Sequence, residues 1–263
     1  VGARAADGAT TGLLDLFRVD GRVAIVTGAG SGLGAGFARA LAESGADIVL
    51  SGRRPDPLRR TADTVRALGR RALEIPSDVT DPEQCDAVVG AAIDEFGRVD
   101  ILINNAGLTH TAPATRELPE DFRAVLDVNL LGSYWMARSC ARVMRPGSSI
   151  VNVGSMLGLV KSALPQAAYA SSKAGVLGLT RDLSHQWSGR KGIRVNAIAP
   201  GFVETDMIAE MSDEARTDFL QGCSLGRMGT QREIDAAVLF LASPAASYIT
   251  GSTLAVDGGT SGH

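Results

Sequence analysis

Tyr169 and Lys173, four residues apart in Y-A-S-S-K, are the pair in this sequence best suited to moving a proton. The surrounding run A-A-Y-A-S-S-K-A-G-V-L-G-L-T suits a helix, and positions i and i+4 of a helix share a face. A free phenol has a pKa of about 10, so only about one in a thousand is ionised at pH 7. An ammonium about 4 Å away, at an effective dielectric near 20, offers roughly 4 kcal/mol toward the phenolate before burial is subtracted. Lys173 is therefore expected to hold the Tyr169 phenol below its ordinary value and make it a general acid or base. Y-x-x-x-K is short and common, so its weight depends on the residues around it.

Those residues fall at the ends of apolar runs. Thr27-Gly28-Ala29-Gly30-Ser31-Gly32-Leu33-Gly34 lies between Val23 to Thr27, a short β-branched run, and Ala35 to Ser44, a helix-forming segment. Glycines at 28, 32 and 34 let backbone N–H groups approach a ligand, and a helix N-terminus favours an anion such as pyrophosphate. The spacing T-G-x-x-x-G-x-G differs from G-x-G-x-x-G, and its place in the first strand–helix unit gives it meaning. The second apolar run, Asp47 to Ser51, ends in Ser51-Gly52-Arg53-Arg54, with no acid until Asp56. A carboxylate there would bind ribose hydroxyls, whereas Arg53 offers a fork of donors to a 2′-phosphate, so NADP(H) is favoured over NAD(H).

Further along, Asp78 at the end of the third strand is placed to accept from an adenine amino group, with Val79 flanking the ring. Asp81 reads as the N-cap of the next helix. Asn104-Asn105-Ala106-Gly107 closes the fourth strand and suits a wall against a cofactor ribose. Asn129 sits inside an otherwise apolar helical stretch and must satisfy its amide. Ser155 ends the strand I-V-N-V-G-S, where its hydroxyl can bond the same carbonyl oxygen that Tyr169 protonates.

The elements alternate. Helices are predicted near 35–44, 56–68, 82–96, 119–144, 166–189 and 231–242, and strands near 23–27, 47–51, 72–76, 100–103, 148–153, 193–198 and 253–256. Such alternation argues for an α/β, doubly wound parallel sheet covered on both faces, in one domain. Residues 1–20 read as a leader whose Leu13, Leu14, Leu16 and Phe17 lie on the fold, and 21–263 as the domain. A long excursion from Pro200 to Thr230, with its own helix near 212–221, reads as a substrate lid over 201–230.

Composition narrows the classes. A net charge of −3 and a pI near 5.7 give no footprint for nucleic acid or an anionic membrane. With 45% hydrophobic residues and a mean hydropathy of +0.10 the chain reads as globular, and no apolar run reaches the ~20 residues of a membrane helix. Cys85, Cys140 and Cys223 lack disulfide or zinc spacing, which points to a cytoplasmic setting and no metal.

T-G-A-G-S-G-L-G at 27–34, N-N-A-G at 104–107, Ser155, Y-A-S-S-K at 169–173, P-G at 200–201 and V-D-G-G at 256–259 together resemble the short-chain dehydrogenase/reductase family from about residue 20 to 260. The resemblance implies an NAD(P)-binding Rossmann fold with a seven-stranded sheet and a catalytic tetrad of Asn129, Ser155, Tyr169 and Lys173. It also implies that Pro200 and Gly201 lead into a segment covering the nicotinamide, with Val203 and Thr205 touching its carboxamide. NADP-dependent relatives often carry a basic residue where this chain has Ser31, so Arg53 would hold the phosphate with less help. In the implied mechanism Tyr169 protonates the carbonyl oxygen as hydride arrives, Ser155 polarises it, and Lys173 bonds the nicotinamide ribose. Asn129 would hold a water that links Lys173 to solvent.

The substrate walls are expected in Leu108 to Thr115, Met156 to Gln166 and Phe202 to Met228. Met156, Leu157, Leu159, Val160, Phe202, Met207, Ile208 and Met211 make them mostly apolar, with Thr109, His110 and Lys161 as polar exceptions. A small ketone or secondary alcohol fits, which leaves three enzyme readings: a broad carbonyl reductase, a 3-oxoacyl-[acyl-carrier-protein] reductase, or a sugar or sugar-acid dehydrogenase. A nucleotide-sensing protein without catalysis would need neither Tyr169 nor Lys173. The resemblance also implies a homo-oligomer, dimer or tetramer, built from the helices near 119–144 and 166–189.

Overall fold

The computed structural model describes residues 12–162, 164–204, 220 and 222–262. Seven strands, β1 (Val23–Thr27), β2 (Asp47–Gly52), β3 (Ala72–Pro76), β4 (Ile101–Asn104), β5 (Ser149–Val153), β6 (Arg194–Pro200) and β7 (Thr253–Val256), form one sheet. All pair in parallel, in the order β3-β2-β1-β4-β5-β6-β7. Every residue of β1, β4 and β5 is buried, which is why these segments read as continuous apolar runs rather than alternating ones.

Helices α1 (Gly32–Glu43), α2 (Pro55–Ala67), α3 (Pro82–Phe96), α4 (Pro119–Leu126), α5 (Gly132–Val143), α6 (Ala167–Lys191) and α7 (Gln231–Ala242) cover the sheet. Alternate strand residues point to opposite faces. Ala24, Val26, Ile48 and Leu50 pack with Phe37 and Leu41 of α1 and Val238 of α7 on one side. Val23, Ile25 and Val49 pack with Val88 of α3, Met136 of α5 and Leu183 of α6 on the other. The helix ends carry the expected punctuation. Asp81 caps α3 by accepting from Glu83 N and Gln84 N, Thr230 and Glu233 form a capping box on α7, and Gly192 ends α6 in the left-handed region.

The chain winds outward from β1 to β3, then returns to lay β4 against the other side of β1. This reversal opens a crevice between the loops that follow β1 and β4, where doubly wound sheets bind their ligands. Because all strands run the same way, the segments after β1, β2, β3, β4, β5 and β6 meet along that edge.

Two expectations need correction. The single helix anticipated over 119–144 is two, α4 and α5, joined by a π-helical turn over Asp127–Leu131. Within that turn the Asn129 side chain bonds outside its own helix while its carbonyl accepts from Ser133 Oγ at 2.7 Å. The segment Leu13–Phe17 is a short 3-10 helix in which Phe17 and Leu16 are partly covered. Phe17 meets Phe240 at 6.0 Å, whereas Leu13 and Leu14 stay exposed. The helix expected near 212–221 lies almost wholly outside the described residues.

Candidate active site

A cleft of about 690 Å³ runs along the C-terminal edge of the sheet. Of the residues singled out in the sequence, Gly28, Ser31, Gly32, Leu33, Arg53, Asp78, Val79, Asn105, Ala106, Gly107, Ser155, Tyr169, Lys173, Pro200 and Gly201 line it. Gly34, Asn129 and Val203 stand behind its wall, and Thr205 lies outside the described residues.

The glycines are needed for close approach. Gly28 has φ 64°, and a Cβ there would sit 2.9 Å from Ala106 Cα. A Cβ on Gly34 would collide with the Gly28 carbonyl oxygen, so Gly34 lets α1 start hard against the loop instead of facing a ligand. Thr27 and Asn105 lock the loop to the end of β4. Thr27 Oγ1 accepts from Asn105 N at 2.9 Å and Ala106 N at 3.0 Å, and Asn105 Nδ2 donates to Thr27 O at 2.9 Å and Gly28 O at 3.3 Å. The expectation that the Asn105 amide faces a ribose is thereby corrected: it satisfies carbonyls that the sheet ladder leaves unpaired where the chain turns. Ala106 and Gly107 form the wall. Ser31 sits at the N-cap of α1 with no side-chain capping bond, which leaves its hydroxyl at the exposed rim.

At the far end, Arg53 and Arg54 are exposed and make no ion pair among the described residues. Asp56, the next acid in the chain, faces Arg59 at 3.9 Å. Ser51 and Ser77 bond each other at 2.8 Å and tie β2 to β3 below them. Asp78 Oδ1 accepts from Thr80 N and Thr80 Oγ1 at 3.0 and 2.8 Å, which leaves its other oxygen for a donor in the cleft. Val79 is buried, and a Cβ on Gly132 would come within 2.6 Å of it, so α5 packs directly behind this wall.

The proton-handling groups cluster between β5 and α6. Ser155 Oγ accepts from Leu157 N at 3.1 Å and neighbours the Tyr169 phenol, whose pKa it acts to lower. Lys173 is 4% exposed, its Nζ donates to Val153 O at 2.8 Å, and it lies 5.6 Å from the Tyr169 ring centroid. Burial pulls the ammonium down from 10.5 to about 8. Burial also raises the phenol of Tyr169, and Ser155 only partly offsets this. The balance is opposite to the expected depression by Lys173. Desolvation acts on both groups, and the ammonium is aimed at a backbone carbonyl instead of the phenol oxygen. The phenol is therefore held protonated at neutral pH, the form a general acid needs.

Asn129 is 1% exposed and its amide is fully used: Oδ1 accepts from Leu108 N at 2.7 Å, and Nδ2 donates to Leu108 O and Ser172 Oγ, both at 2.9 Å. Ser172 Oγ in turn donates to Tyr169 O at 2.7 Å. With both amide hydrogens spent, Asn129 ties the segment after β4 to the helix bearing Tyr169, and its amide N–H groups are not free to hold a water. A Cβ on Gly107 would lie 3.6 Å from Asn129 Oδ1 and 3.8 Å from Lys173 Nζ, so glycine keeps that corner open.

Val203 enters through its backbone. Phe202 O accepts from Gly229 N and Glu204 N donates to Gly229 O, both at 2.9 Å, which forms a parallel bridge. This pattern turns the N–H and C=O of Val203 to the opposite side, and neither has a partner among the described residues, while its side chain is buried in the core. A residue whose backbone N–H and C=O are both free suits a carboxamide. Together with the close-packed glycine loop and the unpaired arginines, it fits a dinucleotide laid along the cleft.

On the substrate side, Leu157, Leu159, Val160 and Phe202 are half-buried. Met156 is 4% exposed and packs inward, and Met207, Ile208 and Met211 lie outside the described residues. Sequence reading passed over Ser172. Ser172 lies inside Y-A-S-S-K itself, three residues after Tyr169, and its spacing alone could have flagged it.

Comparison with known proteins bears on the family and the fold. A family profile described as enoyl-(acyl carrier protein) reductase matches residues 28–261. The chain is 42% identical over 243 residues to a 3-oxoacyl-[acyl-carrier-protein] reductase of Vibrio cholerae, covering 92% of this chain and 98% of the relative. It is 44% identical over 250 residues to a galactitol 2-dehydrogenase (L-tagatose-forming) of Cereibacter sphaeroides, covering 93% and 96%. A solved structure from Agrobacterium tumefaciens, a candidate 2-deoxy-D-gluconate 3-dehydrogenase with bound NADP, superposes with a TM-score of 0.85 at 35% identity, covering 94% of this chain and 99% of that one.

Proposed function

The chain belongs to the short-chain dehydrogenase/reductase family and is an NAD(P)-dependent oxidoreductase, and on that premise we propose that it interconverts a ketone and a secondary alcohol with NADP(H) as the preferred nucleotide. The observation that carries this reading is the convergence of the Tyr169 phenol, the Ser155 hydroxyl and the buried Lys173 ammonium on one end of a cleft whose other end holds two unpaired arginines.

Gly28, Ser31, Gly32 and Leu33 would hold the pyrophosphate, with Gly34 letting the helix approach it. Arg53, joined by Arg54, takes the 2′-phosphate, a role that supports NADP(H) even with Ser31 in place of a basic residue. Asp78 and Val79 meet the adenine, Ala106 and Gly107 flank a ribose, and Pro200, Gly201 and the Val203 peptide meet the carboxamide. The bound nicotinamide supplies or accepts the hydride. In reduction, Tyr169 donates its proton to the carbonyl oxygen while Ser155 donates a hydrogen bond to the same atom. Lys173, still mostly protonated at neutral pH, stabilises the phenolate left behind. Asn129, through Leu108 and Ser172, keeps the substrate segment in register with Tyr169. The lid expected over 201–230 lies mostly outside the described residues.

A 3-oxoacyl thioester on a carrier protein is the second reading, favoured by the similarity to the Vibrio cholerae enzyme. The three free cysteines fit a reducing cytoplasm, and Phe122, Leu126, Leu130 and Leu131, which line a groove on α4 and the π turn, fit a homo-oligomer of two or four copies. Among the described residues no helix can cross a membrane and no acid–His–Cys cluster could hold a metal. The test is a panel of ketones, ketoses, alcohols and a 3-oxoacyl thioester, each run with NADP(H) and NAD(H). Turnover with NADP(H) at least about tenfold more efficient, as expected for one charge-assisted contact, supports the proposal. Equal use of both nucleotides removes the role given to Arg53.

A further inference from the structure

Two segments that border the substrate end of the cleft, the one after β4 and the one before α6, are tied together by side-chain hydrogen bonds. Gln166 precedes α6, three residues before Tyr169, a spacing that puts the two side chains on neighbouring ground. Its Nε2 donates to Thr109 Oγ1 at 3.3 Å and to Thr111 Oγ1 at 3.2 Å, while its Oε1 accepts from Ser162 Oγ at 3.3 Å. Ser162 Oγ already accepts from Leu164 N at 3.0 Å, so its O–H is the group turned to the Gln166 amide oxygen. A backbone bond from Ala112 N to Pro165 O, 3.0 Å, joins the same two segments, and Asn129 anchors Leu108 beside them.

The hydrogen-bond inventory of this group is uneven. Both amide hydrogens of Gln166 are spent. Each threonine hydroxyl accepts one of them, yet neither donates a bond among the described residues. Thr109 and Thr111 therefore each present an unspent O–H and a spare lone pair at the exposed rim, and Thr109 lines the cleft with Ser155 and Tyr169. An alcohol group, which donates and accepts at once, satisfies such a pair. An alkyl chain laid across it displaces water without replacing the bonds.

We propose that Thr109, Thr111 and Gln166 read hydroxyl groups next to the reacting carbon, and that the substrate is a polyhydroxylated one, a polyol or its ketose, in preference to an alkyl ketone or acyl chain. This rests on the oxidoreductase reading above. Because both segments are already cross-linked, the rim is organised before substrate arrives and little ordering cost is left.

The experiment measures kcat/KM for oxidation of hexitols (glucitol, mannitol, galactitol) and of 2-hexanol, with NADP+ and with NAD+. The full-length protein is compared with Gln166→Leu and Thr111→Val. The unsubstituted enzyme is expected to favour at least one hexitol over 2-hexanol by about a hundredfold, as for sites built to bond a hydroxyl. Either variant should lower that ratio about tenfold, the worth of one lost hydrogen bond. Preference for 2-hexanol, or an equal loss on both alcohols in the variants, overturns the substrate assignment and leaves the oxidoreductase reading standing. Absence of turnover on the hexitols, 2-hexanol and the ketone panel with both nucleotides overturns both. Circular dichroism identifies a variant that has not folded, and the other variant then decides.

Discussion

Replacing Lys173 with methionine should change how stability depends on pH more than it changes stability at pH 7. The ammonium is almost wholly buried, and burial lowers its pKa from 10.5 to about 8. At about 1.4 kcal/mol for each pH unit, that fall corresponds to a penalty of roughly 3 kcal/mol on the folded state while the group is charged. Between about 8 and 10.5 the unfolded chain binds the proton more tightly than the folded one. Stability contributed by this group therefore rises with pH across that window, and the penalty is fully present below about 8. Methionine has no such slope. At pH 7 the variant escapes the penalty but loses the Nζ donor to Val153 O, a charged hydrogen bond worth about 1.5–3 kcal/mol, so the two nearly cancel. Urea unfolding at fixed protein concentration from pH 7 to 10.5 reads the difference. The unsubstituted chain should gain up to about 3 kcal/mol relative to Lys173→Met over that range, while the variant loses turnover at every pH. Parallel pH dependences for the two proteins would refute the claim that this lysine is buried as an ammonium.

Arg53→Ala should weaken NADP(H) about tenfold to a hundredfold, with NAD(H) binding little changed, as expected for removing one charge-assisted donor. Fluorescence titration of both reduced nucleotides checks this, and equal loss on both would contradict it. Asn105→Ala strips donors from Thr27 O and Gly28 O and should cost about 1–3 kcal/mol of stability, read by urea unfolding, as well as weaken both nucleotides alike. Gly34→Ala drives a methyl group into the Gly28 carbonyl, and calorimetric titration should show nucleotide affinity falling by about tenfold or more while α1 is kept by circular dichroism.

The buried strands were readable because a parallel sheet covered on both faces leaves uninterrupted apolar runs, as in Val23–Thr27 and Ile101–Asn104. Strand ends could then be located, and with them Gly28, Arg53, Asp78 and Ser155. What could not be read were effects set by partners distant in sequence. Asn129 sits in a π turn, and its amide bonds Leu108 and Ser172, 21 and 43 residues away. Asn105 looked like a ligand contact because its amide suits one, but its donors go to Thr27 and Gly28, 78 and 77 residues back. Helix spacing put Tyr169 and Lys173 together and could not show that Lys173 points to Val153, which is why the direction of the phenol's shift was misjudged. Leu13 and Leu14 were expected to lie on the fold with Leu16 and Phe17, but the 3-10 turn carrying them covers only Leu16 and Phe17.

The account depends most on residue 169 as the proton donor. Single-turnover reduction of an accepted ketone by the Tyr169→Phe variant, alongside its nucleotide affinity, addresses that directly. A rate at least about a hundredfold lower, the size expected for deleting a general acid, with nucleotide affinity unchanged, is the predicted result. A variant that reduces the ketone at the unsubstituted rate would contradict it.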